Sequence, residues 1–287
     1  MVTMVTLALA LVVQTPDFSW SGAVAAGKEV RVKNIVGDVR IEAARGSTVE
    51  ITAIKRAGRE GDPDEVEIRR IETERGVEVC VVYPSMGDRD DDCEWRGRQG
   101  REGRRGRRWH EENDTKVHFT VRLPAGVNLN AGTVSGNVDA TGLRSNVEVS
   151  TVSGNVLVRD MEGKVLEARS VSGDVELTDV RADEVGAETV SGDVDFVGEI
   201  RRGGDYDFQT LSGDVVLRVP AGLSADVTAS TFSGSFETSF PLSSKVERES
   251  KWARRQRISG TIGNGGATIR LQSFSGDVEL LERSGRS

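Results

Sequence analysis

The chain is short of the residues from which most catalytic centres are built. It has two cysteines and two histidines among 287 residues, and none of them stands at the spacing of a zinc site. Neither His110 nor His118 belongs to an H-E-x-x-H helix motif, and no G-x-S-x-G elbow is present to raise a serine nucleophile. Aromatics are only 5% of the chain. No apolar run reaches the roughly 18 residues that span a bilayer. The formal charge of −8 opposes a dedicated nucleic-acid binder, which normally carries a basic domain. What the chain has in excess is glycine, 33 residues. Apolar content is low at 37% but enough for a core, so global disorder is not expected.

The longest apolar run, Met4 to Val13, lies at the extreme N-terminus. It suits the hydrophobic segment of a secretory signal, so residues 1–15 are read as a signal peptide and 16–287 as the folded domain. The basic leader residues are missing and no clean A-x-A site precedes Pro16; the alternative is a buried first strand. Export places the protein in the periplasm, at the cell surface or outside. Cys80 and Cys93 flank a loop rich in Asp and Arg, and an even count in an exported chain permits one disulfide. Such a link typically stabilises by about 3 kcal/mol; two free thiols are the alternative.

An internal repeat dictates the fold. Its core, V-S-G-[DN]-V, occurs at Val134–Val138, Val152–Val156, Val171–Val175 and Val190–Val194, with variants at Leu211–Val215, Phe232–Phe236 and Phe274–Val278 and an early relative at Ile35–Val39. Successive serines (135, 153, 172, 191, 212, 233) are 18 to 21 residues apart, and the step to Ser275 is two such periods. Aligned on the serine, position −6 holds Leu129, Val147, Leu166, Val185, Tyr206, Val227 and Ile269, and position +3 holds Val138, Val156, Val175, Val194, Val215, Phe236 and Val278. Positions −4 and +5 are apolar as well, apart from Thr238, and polar residues lie between. Period-two alternation on both sides of a fixed turn means two half-buried strands per repeat.

A two-strand unit cannot bury its apolar face alone, so the units must stack, each covering its neighbour. The fold class is therefore all-β: a single elongated β-solenoid of two-strand rungs, about 4.8 Å apart. Glycine accepts backbone angles closed to other residues, and Asp, Asn and Ser can bond neighbouring backbone groups in the turn. Longer alternating strands are predicted at Val49–Ile54, Val66–Ile71, Val77–Tyr83 and Val117–Leu123, and the related exits Leu123–Gly126 and Val219–Gly222 end strands. Two charged insertions interrupt the pattern, at 85–114 and 242–257.

The V-S-G-[DN]-V repeats, the opening Phe18–Gly22 (F-S-W-S-G) and Gly260–Gly266 (G-T-I-G-N-G-G) before the last rung resemble the bacterial putative-adhesin family, over nearly the whole chain. That resemblance implies a β-strand-repeat domain of unknown function, found in exported or surface proteins, with no established catalytic residues to carry over.

The first insertion opens acidic and turns basic, with Arg104, Arg105, Arg107 and Arg108 between Trp95 and Trp109; the second carries Trp252, Arg254 and Arg255. Exposed Trp beside Arg can stack on sugars and pair with carboxylate or phosphate. These nine residues are candidate contacts for an envelope glycan, an anionic polymer or a surface protein; a solvated charged loop is the plainer reading. Asp174, Asp193, Asp214 and Asp277, with Asn137 and Asn155, should form a file along one edge. Turn formation explains them better than calcium, because acidic β-rolls use two tight turns per short coil. No cofactor or metal is implied. The expected function is a non-catalytic, adhesin-like envelope module. The alternative is a polysaccharide-cleaving β-helix enzyme using outward carboxylates such as Asp139, Glu148, Glu167, Glu176 and Asp195.

Overall fold

The computed structural model describes residues 15–84, 93, 113–246 and 256–283. It is a β-solenoid. Strands before each Ser-Gly turn stack in parallel into one sheet, and strands after it stack into a second. Val147 lies beside Leu129 on one side and Leu166 on the other; Val156 lies between Val138 and Val175. In-register pairing turns each apolar column of the sequence into a spine, and the two sets of spines meet in one continuous core. Because burial alternates along the strands that flank each turn, a slip of one residue would expose an entire column, and that fixes the register.

Each middle rung has a second corner that the two-strand reading does not contain. Seven residues past the serine, Gly142, Asp160 and Asp179 adopt positive φ (75°, 49° and 54°). The next residues, Leu143, Met161 and Val180, turn back into the core. Strands Val175–Ser191 and Val194–Ser212 run through this bend into the following rung, and the first of their paired registers shifts there. The bend supplies a short third side that closes the cross-section over otherwise open valines.

The stack does not follow chain order at its ends. The Ser275 rung (Ala267–Ser275, Val278–Glu282) inserts between the rungs of Ser212 and Ser233, pairing in parallel with both. The residues between Ser233 and Ser275 do not make a further rung. They form an antiparallel pair, Leu242–Val246 on Gln256–Ile262, laid over Ala225–Ser233. The beginning of the chain repeats the device: Glu29–Lys33 and Val39–Ala43 lie between the Ser135 rung and the later strands Gly76–Val82 and Lys116–Leu123. Antiparallel strands Phe18–Gly22, Val49–Arg56 and Glu67–Thr73 then cover that end. A strand reversed by a hairpin pairs with the outer parallel strand and ends the run of rungs there, leaving a short antiparallel strand outermost. The first rung is thus held on both sides, and so is the leading strand of the last, Ala225–Ser233, whereas Phe236–Thr238 pairs only with Val278–Glu282.

Candidate functional site

Three hydrogen-bond ladders run along the edge formed by the Ser-Gly turns. In the first, each turn glycine donates its N–H to the serine carbonyl of the next rung, as Gly154 does to Ser172 and Gly173 to Ser191 (both 2.9 Å). In the second, each Asp or Asn side-chain oxygen accepts the N–H of the equivalent residue one rung on. The file is unbroken from Asp38 through Asn137, Asn155, Asp174, Asp193, Asp214 and Asp277 to Ser235, at 2.7 to 3.0 Å. Its carboxylates are turn ligands, and the two bonds from Ser235 hold the Asp277 carboxyl below its ordinary range.

The third ladder belongs to a column the repeat alignment passed over. Two residues before the serine stand Thr133, Thr151, Ser170, Thr189, Thr210, Thr231 and Ser273, all buried. Each donates its hydroxyl to the turn-glycine carbonyl of the neighbouring rung, at 2.8 to 3.0 Å. Asn34 takes that place in the first rung, bonding the carbonyls of Gly37 and Val117. The conspicuous motif serines, by contrast, point to solvent, and their hydroxyls make no hydrogen bond among the described residues. The glycines are fixed twice over. Gly173 has φ 142°, and a Cβ there would collide with the carbonyl oxygen of Gly154.

With the polar groups of the turn consumed by structure, one apolar feature stands out. Residues immediately before the serines alternate outward, so Val134, Val152, Val171, Val190, Leu211, Phe274 and Phe232 form a file, in stack order, that is 37 to 51% exposed. Phe274 and Phe232 stack with ring centroids 4.7 Å apart. A groove of about 580 Å³ runs beside the aromatic end of this ridge, between it and Gln209 and Gln272. The parity of the sequence held the signal: an apolar residue one step from the serine lies on the polar face of its strand.

The stems of both charged insertions open at this same edge. The first insertion leaves after Tyr83 and returns at Asn113–Thr115, where the Tyr83 hydroxyl donates to the Thr115 carbonyl and Val117 pairs with Val36 of the first turn. Burial pushes the Tyr83 phenol up to about 12. A disulfide joins Cys80 to Cys93, and Lys33 Nζ donates to the Cys93 carbonyl. The second insertion leaves after Val246 and returns at Gln256, which pairs with Thr231 where that strand leads into its turn. The two stems are therefore at opposite ends of the ridge, nine strand spacings or roughly 43 Å apart. Trp95, Arg104, Arg105, Arg107, Arg108, Trp109, Trp252, Arg254 and Arg255 themselves lie outside the described residues.

On the outward faces, carboxylates are mostly paired locally. Asp195 takes Arg218 at 3.0 Å, and Glu148, Glu167 and Glu188 share Arg169. Glu176 and Asp139 accept from Thr178 and Thr141. Glu167 differs from these. Burial against the sheet, over the bare backbone of Gly186, raises its carboxyl; nearby Glu148, Asp207 and Glu184 add to the rise and Arg169 opposes it. His118 accepts the Asp38 N–H through Nδ1 and so belongs to the turn ladder.

The fold and its edge define a class: a strand-repeat solenoid with ladder-bonded turns and an exposed apolar ridge. The chain belongs to the Toastrack DUF4097 family, whose model matches residues 111–281. That span holds every Ser-Gly rung. No curated protein matches the sequence. Among solved structures, a putative cell adhesion protein from Clostridium sporogenes is 11% identical, covering 94% of this chain and 100% of its own at a TM-score of 0.40. A putative adhesin from Bacteroides fragilis is 12% identical, covering 92% and 96%, also at 0.40. Overlays that loose carry no argument about function. Among the described residues no helix is long and apolar enough to cross a membrane.

Proposed function

We propose that this chain is a non-catalytic, exported binding module of the bacterial cell envelope, in which the solenoid is a rigid bar that presents two charged loops along one edge. One observation carries the reading: the stems of both insertions rise from the turn edge, at its two ends. A bar of stacked rungs fixes their separation, so a long ligand could engage both while a small one could not. The contacts proposed are Trp95, Arg104, Arg105, Arg107, Arg108 and Trp109 in the first loop and Trp252, Arg254 and Arg255 in the second. Their chemistry fits an anionic envelope glycan or polymer, with a surface protein as the other candidate class. The disulfide beside the first stem and the apolar N-terminal run support export.

The test is binding of the full chain to a panel of acidic polysaccharides and envelope polymers of graded length. Replacing the Arg residues of either loop by Ser should weaken binding to long polymers and leave short fragments little changed. Equal binding by wild type and a double-loop variant would sink the proposal. The runner-up, polysaccharide cleavage, is favoured by one group, Glu167, whose raised carboxyl resembles a general acid. Release of reducing or unsaturated ends that Glu167→Gln abolishes would replace the first reading by the second.

A further inference from the structure

We infer that the apolar ridge is a self-association surface, on which a second copy of this chain packs side by side and antiparallel. The first argument is spacing. Seven exposed apolar side chains, from Val134 to Phe232, repeat at the rung interval of about 4.8 Å, with Ile35 half-buried at the near end, so the file is roughly 34 Å long. A partner that covers it throughout needs the same interval along the same length, and another copy of the ridge has both.

The second argument is size. In stack order the file reads Ile35, Val134, Val152, Val171, Val190, Leu211, Phe274 and Phe232, small side chains giving way to large ones. A two-fold axis between Val171 and Val190 sets Val171 against the partner's Val190 and Val152 against the partner's Leu211. It also sets Val134 against the partner's Phe274, beside the groove at the aromatic end. Each bulky residue meets a smaller one, so the summed thickness varies less than in a parallel pairing and does so symmetrically about the axis. A parallel pairing would set Phe against Phe and Val against Val, leaving the valine end apart. The contact is isologous and closes at two copies, so it does not propagate into a fibre.

Area sets the strength. A strip of that length, reaching from the column three residues before the serine to the aspartates two after it, is about 17 Å wide and offers on the order of 600 Å² per copy. Standard stable interfaces use about 800 Å² per partner, so the pair should dissociate in the micromolar range. This inference is independent of the loop ligands above: loss of polymer binding would not affect it, and loss of self-association would not affect them.

Sedimentation of the full chain between about 1 and 200 µM should show a reversible monomer–dimer equilibrium. Leu211→Ser with Phe274→Ser should weaken it at least about tenfold, with the far-UV spectrum unchanged because both side chains are about half exposed. Register is read by mild oxidation of cysteine variants that keep the Cys80–Cys93 link. V171C mixed with V190C should give a mixed dimer, as should V134C mixed with F274C, and V134C alone should not cross-link. A chain that stays monomeric at 200 µM, or V134C linking to itself, would overturn the proposal: the first leaves the ridge to a different partner, the second makes the pairing parallel.

Discussion

The buried hydroxyl column offers the sharpest test of how the edge is held. Thr189 is buried, and its Oγ1 donates to the Gly173 carbonyl at 2.8 Å. Thr189→Val removes the donor while keeping the shape, and it leaves that carbonyl without the side-chain donor it has in the native stack. A lost hydrogen bond costs about 0.5–1.5 kcal/mol and an orphaned buried acceptor about 1–3 kcal/mol. The added methyl returns up to about 0.8 kcal/mol. The net expectation is a loss of about 1–2 kcal/mol. Ser172, the residue a reader of the repeat would choose, is exposed, and Ser172→Ala should stay within about 0.5 kcal/mol of wild type. Urea unfolding followed by far-UV circular dichroism measures both, read as midpoint shifts at constant slope. Thr189→Val with Thr210→Val, which serve different carbonyls, should come close to additive; an excess would measure cooperation between rungs. If Thr189→Val is neutral while Ser172→Ala destabilises, the assignment of the ladder to the threonine column is refuted.

The remaining predictions use the same stack. Gly173→Ala meets both a φ of 142° and the Gly154 carbonyl, so it should cost about 3 kcal/mol or more and yield little soluble protein. Expression beside the benign Ser172→Ala checks it. Ending the chain at residue 266 removes the next-to-last rung of the stack, because Ala267–Glu282 lies between the rungs of Ser212 and Ser233. The truncated chain should lose the Ser233 rung and its hairpin to protease while the rungs up to Ser212 stay folded, and a Ser233 rung as well protected as in the full chain would contradict the inserted order. For pH, the raised Glu167 carboxyl means the native state holds its proton to higher pH than the unfolded chain. Its contribution is therefore present at low pH and is lost as pH rises through the folded pKa, above the usual glutamate range. Glu167→Gln should flatten that part of the profile of melting temperature against pH. A wild-type profile that instead rises through this range in step with the variant would refute the assignment.

Much of this architecture was legible because its causes are local and repeated. Alternation at positions −6, −4, +3 and +5 places Leu166, Ala168, Val175 and Leu177 inward in every copy, and the structure buries all four. The Asp and Asn file was readable as turn chemistry, and its bonds are made to backbone N–H groups. The threonine column and the outward apolar residues obey the same parity, but Thr in an inward column and Val beside a turn are ordinary in any strand, so neither stands out until the rungs are stacked. The second corner left only a faint trace, Gly142, Asp160, Asp179 and Gly198 at one offset, because Asp is ordinary in any polar stretch.

The sequence by itself determined the repeat unit, its inward and outward faces and the need to stack, since each follows from side-chain alternation within about twenty residues. It could not determine the order of the stack. The Ser233 and Ser275 rungs share the repeat pattern, though Thr238 stands where the Ser275 rung has Leu280, and the pattern alone does not say which meets the Ser212 rung. Tertiary structure chose Ser275 because the hairpin Leu242–Val246 and Gln256–Ile262 can cap only the rung it directly follows. The same long-range pairing brings Val36 beside Val117 and the stems of both insertions to one edge. Nothing local in either insertion records which edge it leaves from, because that is set by which strands become neighbours.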